Sequence, residues 1–159
     1  MPANASLGTR LPVTLRQITE ESVLQVCQLS DTLPPLQQKM VAPNALSIAQ
    51  AHYNKCLWPV AIYAGETPVG FMMLYDNPQE PKYFIWRLMV AAPFQKMGYG
   101  ERAVQLLAEY VRTRPRAKEL LVSCVEGEGS PEGFYEKLGF RRTGERLDEE
   151  VVLRLGLGP

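Results

Sequence analysis

Gln95-Lys96-Met97-Gly98-Tyr99-Gly100 is the stretch that decides the fold. The apolar run Phe84-Ile85-Trp86-Arg87-Leu88-Met89-Val90 precedes it, and a helical pattern from Tyr99 to Arg112 follows. A strand, a glycine-bearing loop and a helix N-terminus together make an anion site. The loop's N–H groups converge, and the first N–H groups of the helix have no intrahelical acceptor. Gly98 and Gly100 let the backbone turn tightly and approach a bulky anion closely. The stretch therefore predicts a phosphorylated ligand held by the N–H groups from Gln95 to Glu101, with Lys96 and Arg102 as nearby positive charge.

Outward from that loop, Tyr83 to Val90 reads as a central strand buried on both faces, with Arg87 the exception. Val104, Leu107, Ala108 and Val111 recur at i, i+3, i+4, i+7 and predict one core-facing stripe on a helix that ends before Pro115. Glu119 to Val125 is the next strand. The connection from Val90 through the helix makes a βαβ unit, whose right-handed crossover sets the two strands parallel and adjacent. Upstream, Pro12 to Ile18 alternates as a first strand, Thr19 is a candidate N-cap for a helix to about Ser30, and Asn44 to Asn54 is helical beyond a proline-broken segment. Trp58–Ala64 and Val69–Tyr75 form a hairpin about Gly65-Glu66-Thr67-Pro68. Pro131 opens a short helix that Gly139 ends, and Phe140–Leu147 with Val151–Leu155 is a final hairpin.

Composition bounds the function. A chain of 159 residues is expected to be one domain over 11–159 behind a disordered tail at 1–10, and it buries about 70% of the surface its unfolded form exposes. Seventeen basic residues balance 17 acidic ones, which argues against a general nucleic-acid partner. Cys27, Cys56 and Cys124 form no C-x-x-C pair, so reduced thiols and a cytoplasmic location are expected. No apolar run spans a membrane, residues 1–10 lack the apolar core of a signal peptide, and the lone His52 has no ligand pattern around it, so no metal site is expected.

Three segments carry a resemblance. Gln95 to Gly100 fits Q/R-x-x-G-x-G/A, Leu88-Met89-Val90 looks like L-x-V at the end of a central strand, and Tyr135-Glu136-Lys137-Leu138-Gly139-Phe140 looks like Y-x-x-x-G-F about 40 residues later. In that order they resemble the GNAT family of N-acetyltransferases, over roughly residues 11–155. The resemblance implies an α+β (α/β) fold of GNAT type: a mixed, mostly antiparallel sheet with a central splayed parallel strand pair and helices on both faces. It implies acetyl-CoA as co-substrate and acetyl transfer to a primary amine of a small molecule by direct attack on the thioester. Leu88, Met89, Val90, Gln95, Lys96, Met97, Gly98, Tyr99, Gly100, Glu101 and Ser130 would contact the cofactor, and Tyr135 would be the acid that protonates the leaving thiolate. The backbone N–H of Val90 would stabilise the oxyanion.

A base is less marked. Glu126, at the end of the second splayed strand, is preferred over the loop acids Asp76 and Glu80. Ser130 serves equally as a cap for the helix that Pro131 opens. The run from Phe84 to Val90 and the loop Gly127 to Glu132 look like bacterial spermine/spermidine acetyltransferases, whose polyamine would want the acids Glu126, Glu128, Asp76 and Glu80 and the faces of Trp58 and Trp86. Arg87 stands against a polycation if it faces the pocket. A homodimer is common in the resembling family, and Val151-Val152-Leu153 is the stretch that could pair across its interface. Two other readings compete. One is a non-catalytic acyl-CoA-binding domain on the same fold. The other is a dinucleotide-binding oxidoreductase, since Gly98-x-Gly100-x-x-Ala103 fits G-x-G-x-x-G/A; the seven residues from Ala91 to Met97 between strand and first glycine, and the single βαβ unit, count against it.

Overall fold

The computed structural model describes residues 11–158; the tail expected at 1–10 lies outside them. Strand β1 is Val13–Gln17, followed by helices α1 (Val23–Leu29), α2 (Pro35–Gln38) and α3 (Asn44–Tyr53). Strands β2 (Leu57–Ala64), β3 (Thr67–Asn77) and β4 (Lys82–Val90) then form an antiparallel meander. Helix α4 (Tyr99–Arg112) leads to β5 (Glu119–Cys124), and α5 (Glu132–Lys137) to the hairpin of β6 (Arg141–Leu147) and β7 (Glu150–Gly156). One sheet holds all seven strands in the order β1-β2-β3-β4-β5-β7-β6, and β4 with β5 is its parallel pair.

The two faces of the sheet carry separate cores. Val104, Leu107, Ala108 and Val111 of α4 are buried against Ile62, Met72, Leu74, Ile85, Leu120 and Val122. A fully buried aliphatic side chain of this size contributes about 1.5–3 kcal/mol, so that stripe anchors the helix. On the other face, Val26 and Leu29 of α1 pack with Ala61, Phe71, Met73 and Met89. The buried Asn44 ties α3 to α1, its Nδ2 donating to the Val26 carbonyl at 2.9 Å and its N–H to Ser30 Oγ at 3.1 Å.

Three details differ from expectation. Thr19 does not cap α1: its carbonyl accepts the N–H groups of Ser22 and Val23, and its N–H donates to Ser22 Oγ, so a turn over 19–22 delays the helix to Val23. The run Val151-Val152-Leu153 is no interface strand; β7 lies between β5 and β6, and all three residues are buried within the chain. The third is a β-bulge. Met73 pairs with Arg87 but Leu74 with Ile85, which leaves Trp86 as an extra residue in β4. Strict alternation would put Arg87 with Tyr83 and Ile85 beneath α4. The bulge reverses the phase and turns Arg87 to the face of α1 and α3, opposite Met73. Among the described residues no helix is long and apolar enough to cross a membrane.

Candidate active site

The parallel ladder of β4 and β5 has only two rungs, Phe84↔Leu121 and Ile85↔Val122. It stops where the Trp86 bulge bends β4, and beyond it the strands part. The cleft that opens has a volume of about 1010 Å³. Its walls include Leu88, Met89 and Val90 from β4, Ser123 and Cys124 from β5, and Phe134 and Tyr135 from α5.

Ala91 donates its N–H to Val69 of β3, so by strand alternation the N–H and carbonyl of Val90 point the other way, into the cleft. Gln95 holds that carbonyl, its Nε2 donating to Val90 O at 2.8 Å and to Gln37 Oε1 at 2.8 Å. Thr32 Oγ1 accepts the Ala92 N–H at 3.0 Å. The segment around α2 is thus stitched to the loop after β4. It also reaches the far wall, since a Cβ on Gly129 would sit 2.7 Å from Leu36 Cδ2.

At the start of α4, Lys96 (φ 62°) and Gly98 (φ 84°) are both left-handed. Among the described residues the N–H groups of Lys96, Met97, Gly98, Tyr99, Gly100 and Glu101 have no acceptor. The Gln95 N–H, which the sequence reading included, is taken by the Ala92 carbonyl at 3.3 Å. Gln95, Lys96, Gly98, Tyr99, Gly100 and Glu101 all line the cleft, whereas the Met97 side chain is exposed outside it. Successive N–H groups in such a turn make an anion-binding concavity, reinforced by the positive end of the helix dipole. Gly100 fits closely: a Cβ there would touch Val90 Cγ2 at 3.4 Å and the Phe134 ring at 3.5 Å. Arg102 faces along the helix to Gln105 and Glu109, so Lys96 alone of the expected cations lines the cleft.

Tyr135 is 5% exposed, its ring edge-on to Phe134 and Phe140 at 5.1 and 5.3 Å. Burial pushes its phenol well above the ordinary tyrosine value, so it stays protonated across the working pH range. The Cys124 thiol in the same wall is likewise pushed up by burial. Ser130 does not itself line the cleft; its hydroxyl accepts the Glu132 N–H at 3.2 Å at the start of α5 and lies beside the Cys124 thiol of the cleft wall.

The acids expected from sequence do not assemble. Glu126 is exposed, is engaged by Arg146 and by Arg142 at 3.5 Å, and does not line the cleft. Asp76 is held by Arg114 at 3.0 Å and Tyr110 at 3.2 Å beneath α4, and Glu80 is exposed in the β3–β4 turn. Trp58 stacks on Tyr110 at 4.5 Å rather than facing the cleft; of the expected set only Trp86 lines it. The acids that do line the cleft are Glu101, Asp148 and Glu150. Glu150, the first residue of β7, accepts the Ser123 hydroxyl at Oε2 (3.2 Å). Nothing in sequence marked it, because a hairpin-turn acid reads as ordinary surface. Arg87 enters from β4 on the same face, and burial draws its guanidinium pKa below the usual value while the Glu150 charge opposes that shift.

Relatives carry the same architecture. The family model of the acetyltransferase (GNAT) family matches residues 24–140. The 5-NmdU N-acetyltransferase of Pseudomonas phage PaMx11 is 28% identical over 102 residues, covering 64% of this chain and 69% of that protein. The L-2,4-diaminobutyric acid acetyltransferase of Streptomyces avermitilis is 27% identical over 116 residues, covering 67% of this chain and 64% of that protein. Among solved structures, an aminoglycoside 6'-N-acetyltransferase complexed with coenzyme A superposes with a TM-score of 0.69 at 16% identity, covering 94% of this chain and 98% of that one. The bulge, the splayed parallel pair and the glycine turn therefore stand in a recognised setting: the chain belongs to the GNAT family and is an acetyltransferase.

Proposed function

We propose that this enzyme uses acetyl-CoA to acetylate a primary amine of a small molecule, by direct attack of the amine on the thioester. One observation carries the reading: the anion cradle at Lys96–Glu101 and the buried, protonated Tyr135 open into the same cleft between β4 and β5. A pyrophosphate would be held by the unengaged N–H groups of the cradle and by Lys96, and Gly100 leaves room beside Val90 for a slender arm to enter the splay. The relative named for L-2,4-diaminobutyric acid supports an amine as acceptor.

The coenzyme supplies the acetyl thioester. The protein's task is to make the amine neutral, stabilise the oxyanion and protonate the leaving sulfur. An alkylamine has a pKa of about 10.4 and arrives charged, so a proton acceptor is needed. Glu150, with Oε1 unengaged in the cleft, takes the place that the sequence reading gave to Glu126. The Val90 N–H is a fixed donor for the oxyanion. Tyr135, still protonated, would donate a hydrogen bond to the sulfur as negative charge develops on it, and the same burial that raises the phenol's pKa would raise that of the leaving thiol from its free value of about 8.5, which brings the two closer for proton transfer. Cys124, kept a thiol by burial, does not compete as a nucleophile, which favours direct transfer over an acyl-cysteine.

The test is calorimetric titration with acetyl-CoA, with NAD in parallel, followed by CoA release against a panel of amines. Acetyl-CoA should bind, Gly98→Val should abolish that binding, and CoA should appear only with amine present. NAD binding in place of acetyl-CoA, or acetyl-CoA binding with no release against any amine, would defeat the proposal.

A further inference from the structure

Arg87 lines the cleft, and part of its guanidinium carries no hydrogen bond among the described residues. Its Nη1 donates to the Trp86 carbonyl at 2.9 Å. Its Nε is buried and has no hydrogen-bond partner among the described residues. Among the described residues no acid pairs with Arg87 within 4.0 Å, although Glu150 is close enough for its charge to be felt. A half-buried guanidinium without a paired carboxylate is costly to keep, since only the Trp86 carbonyl, the Trp86 ring at 5.9 Å and the more distant charge of Glu150 offset its desolvation. The remaining edge joins the buried Nε to Nη2, which is neither buried nor hydrogen-bonded; the two N–H donors lie in one plane at a spacing that matches the two oxygens of a carboxylate. Arg142 uses that same edge elsewhere in this chain, donating from Nε and Nη2 to the two oxygens of Glu132.

Arg87 is not placed to serve the cofactor's phosphates. The bulge at Trp86 turns it to the face of α1 and α3, whereas the anion cradle belongs to the N-terminus of α4 on the opposite face. On the Arg87 face lie Glu150, its Oε1 unengaged, and Ser123. One wall of the cleft therefore carries an unpaired cation and the other an acid.

We infer that the acceptor bears both an amine and a carboxylate: Arg87 receives the carboxylate on its Nε–Nη2 edge, and Glu150 faces the amine. This rests on the acetyltransferase reading above and adds the substrate class. A polyamine in this cleft would place a second cation against Arg87, whereas an acceptor with a carboxylate would not.

Paired substrates that differ only by the carboxylate isolate the contact: ornithine against putrescine and lysine against cadaverine, with O-phosphoethanolamine as an amine carrying a different anion. The readout is kcat/KM from CoA release, on protein whose acetyl-CoA binding is verified by calorimetry. Wild-type protein should favour the carboxylated member of a pair by tenfold or more. Arg87→Gln should bring that ratio toward one, chiefly through the KM of the carboxylated member, and Arg87→Lys should restore part of it. Equal or better use of the diamines, preference for O-phosphoethanolamine, no turnover of any member, or a ratio unmoved by Arg87→Gln each overturns the inference while acetyl-CoA still binds. Failure of wild-type protein to bind acetyl-CoA would sink the transferase reading itself, and the inference with it.

Discussion

In the proposed reaction Tyr135 is the side chain that gives one proton. Its ring is wedged between Phe134 and Phe140, and the low polarity that buries it also keeps its proton on. Replacing the phenol by a phenyl ring keeps the packing and removes the acid. Tyr135→Phe should lower kcat by about 10- to 1,000-fold and leave acetyl-CoA affinity within a few-fold. Steady-state CoA release beside calorimetry separates the two quantities; full turnover would remove the phenol from the chemistry. That this residue, Gly98 and Gly100 would share one cleft was legible in the sequence, because each stands in a short motif with a fixed neighbour. Glu126 was misread for a physical reason. An acid at a strand end has the same sequence appearance whether it faces a reaction centre or an arginine, and Arg142 and Arg146 come from a hairpin that sequence spacing does not place beside it.

Among the elements, α4 followed its periodicity, since one wet and one buried face write a period of 3.6 into the residues, while β2 and β3, covered by a core on each face, showed as apolar runs on either side of a turn. Strand β4 broke its alternation. Its bulge carries no glycine to announce it, yet it decides which face receives Arg87 and where the parallel ladder ends. Gly70 in β3 holds the adjoining stretch of β4 in place. A Cβ there would lie 2.5 Å from the Met89 carbonyl oxygen and 3.3 Å from Val90 Cα, both backbone atoms that cannot swing aside. Gly70→Ala should therefore push β4 toward the cleft, lowering stability by about 1–3 kcal/mol and weakening acetyl-CoA binding. Urea unfolding and calorimetry read the two effects, and an unchanged urea midpoint would show that β4 yields freely.

For the whole molecule, alkali is the stress that burial predicts. Tyr135 and Cys124 both titrate above their ordinary values because the folded interior disfavours their anions. The unfolded chain gives up these protons first, at about pH 8.5 for the thiol and 10 for the phenol. Above those values it binds fewer protons than the native state, so stability falls as pH rises. The urea midpoint should be level from neutral pH to about 8.5 and decline beyond it, with a steeper loss near 10. A midpoint that held through pH 10.5 would mean that both groups ionise in place.

The sheet itself is better seen as two. Four antiparallel strands on one side and three on the other meet through a ladder of two rungs, Phe84↔Leu121 and Ile85↔Val122. Beyond those rungs the N–H of Val90 faces the cleft, while its carbonyl is held by Gln95 Nε2 at 2.8 Å. A ligand lying there with amide groups of its own would serve as a length of strand, bonded on one side to β4 and bridging toward β5. Substrate binding would then be a late step of folding: the free protein is a sheet left unfinished for part of its width, and such a ligand would supply the secondary structure that the chain does not.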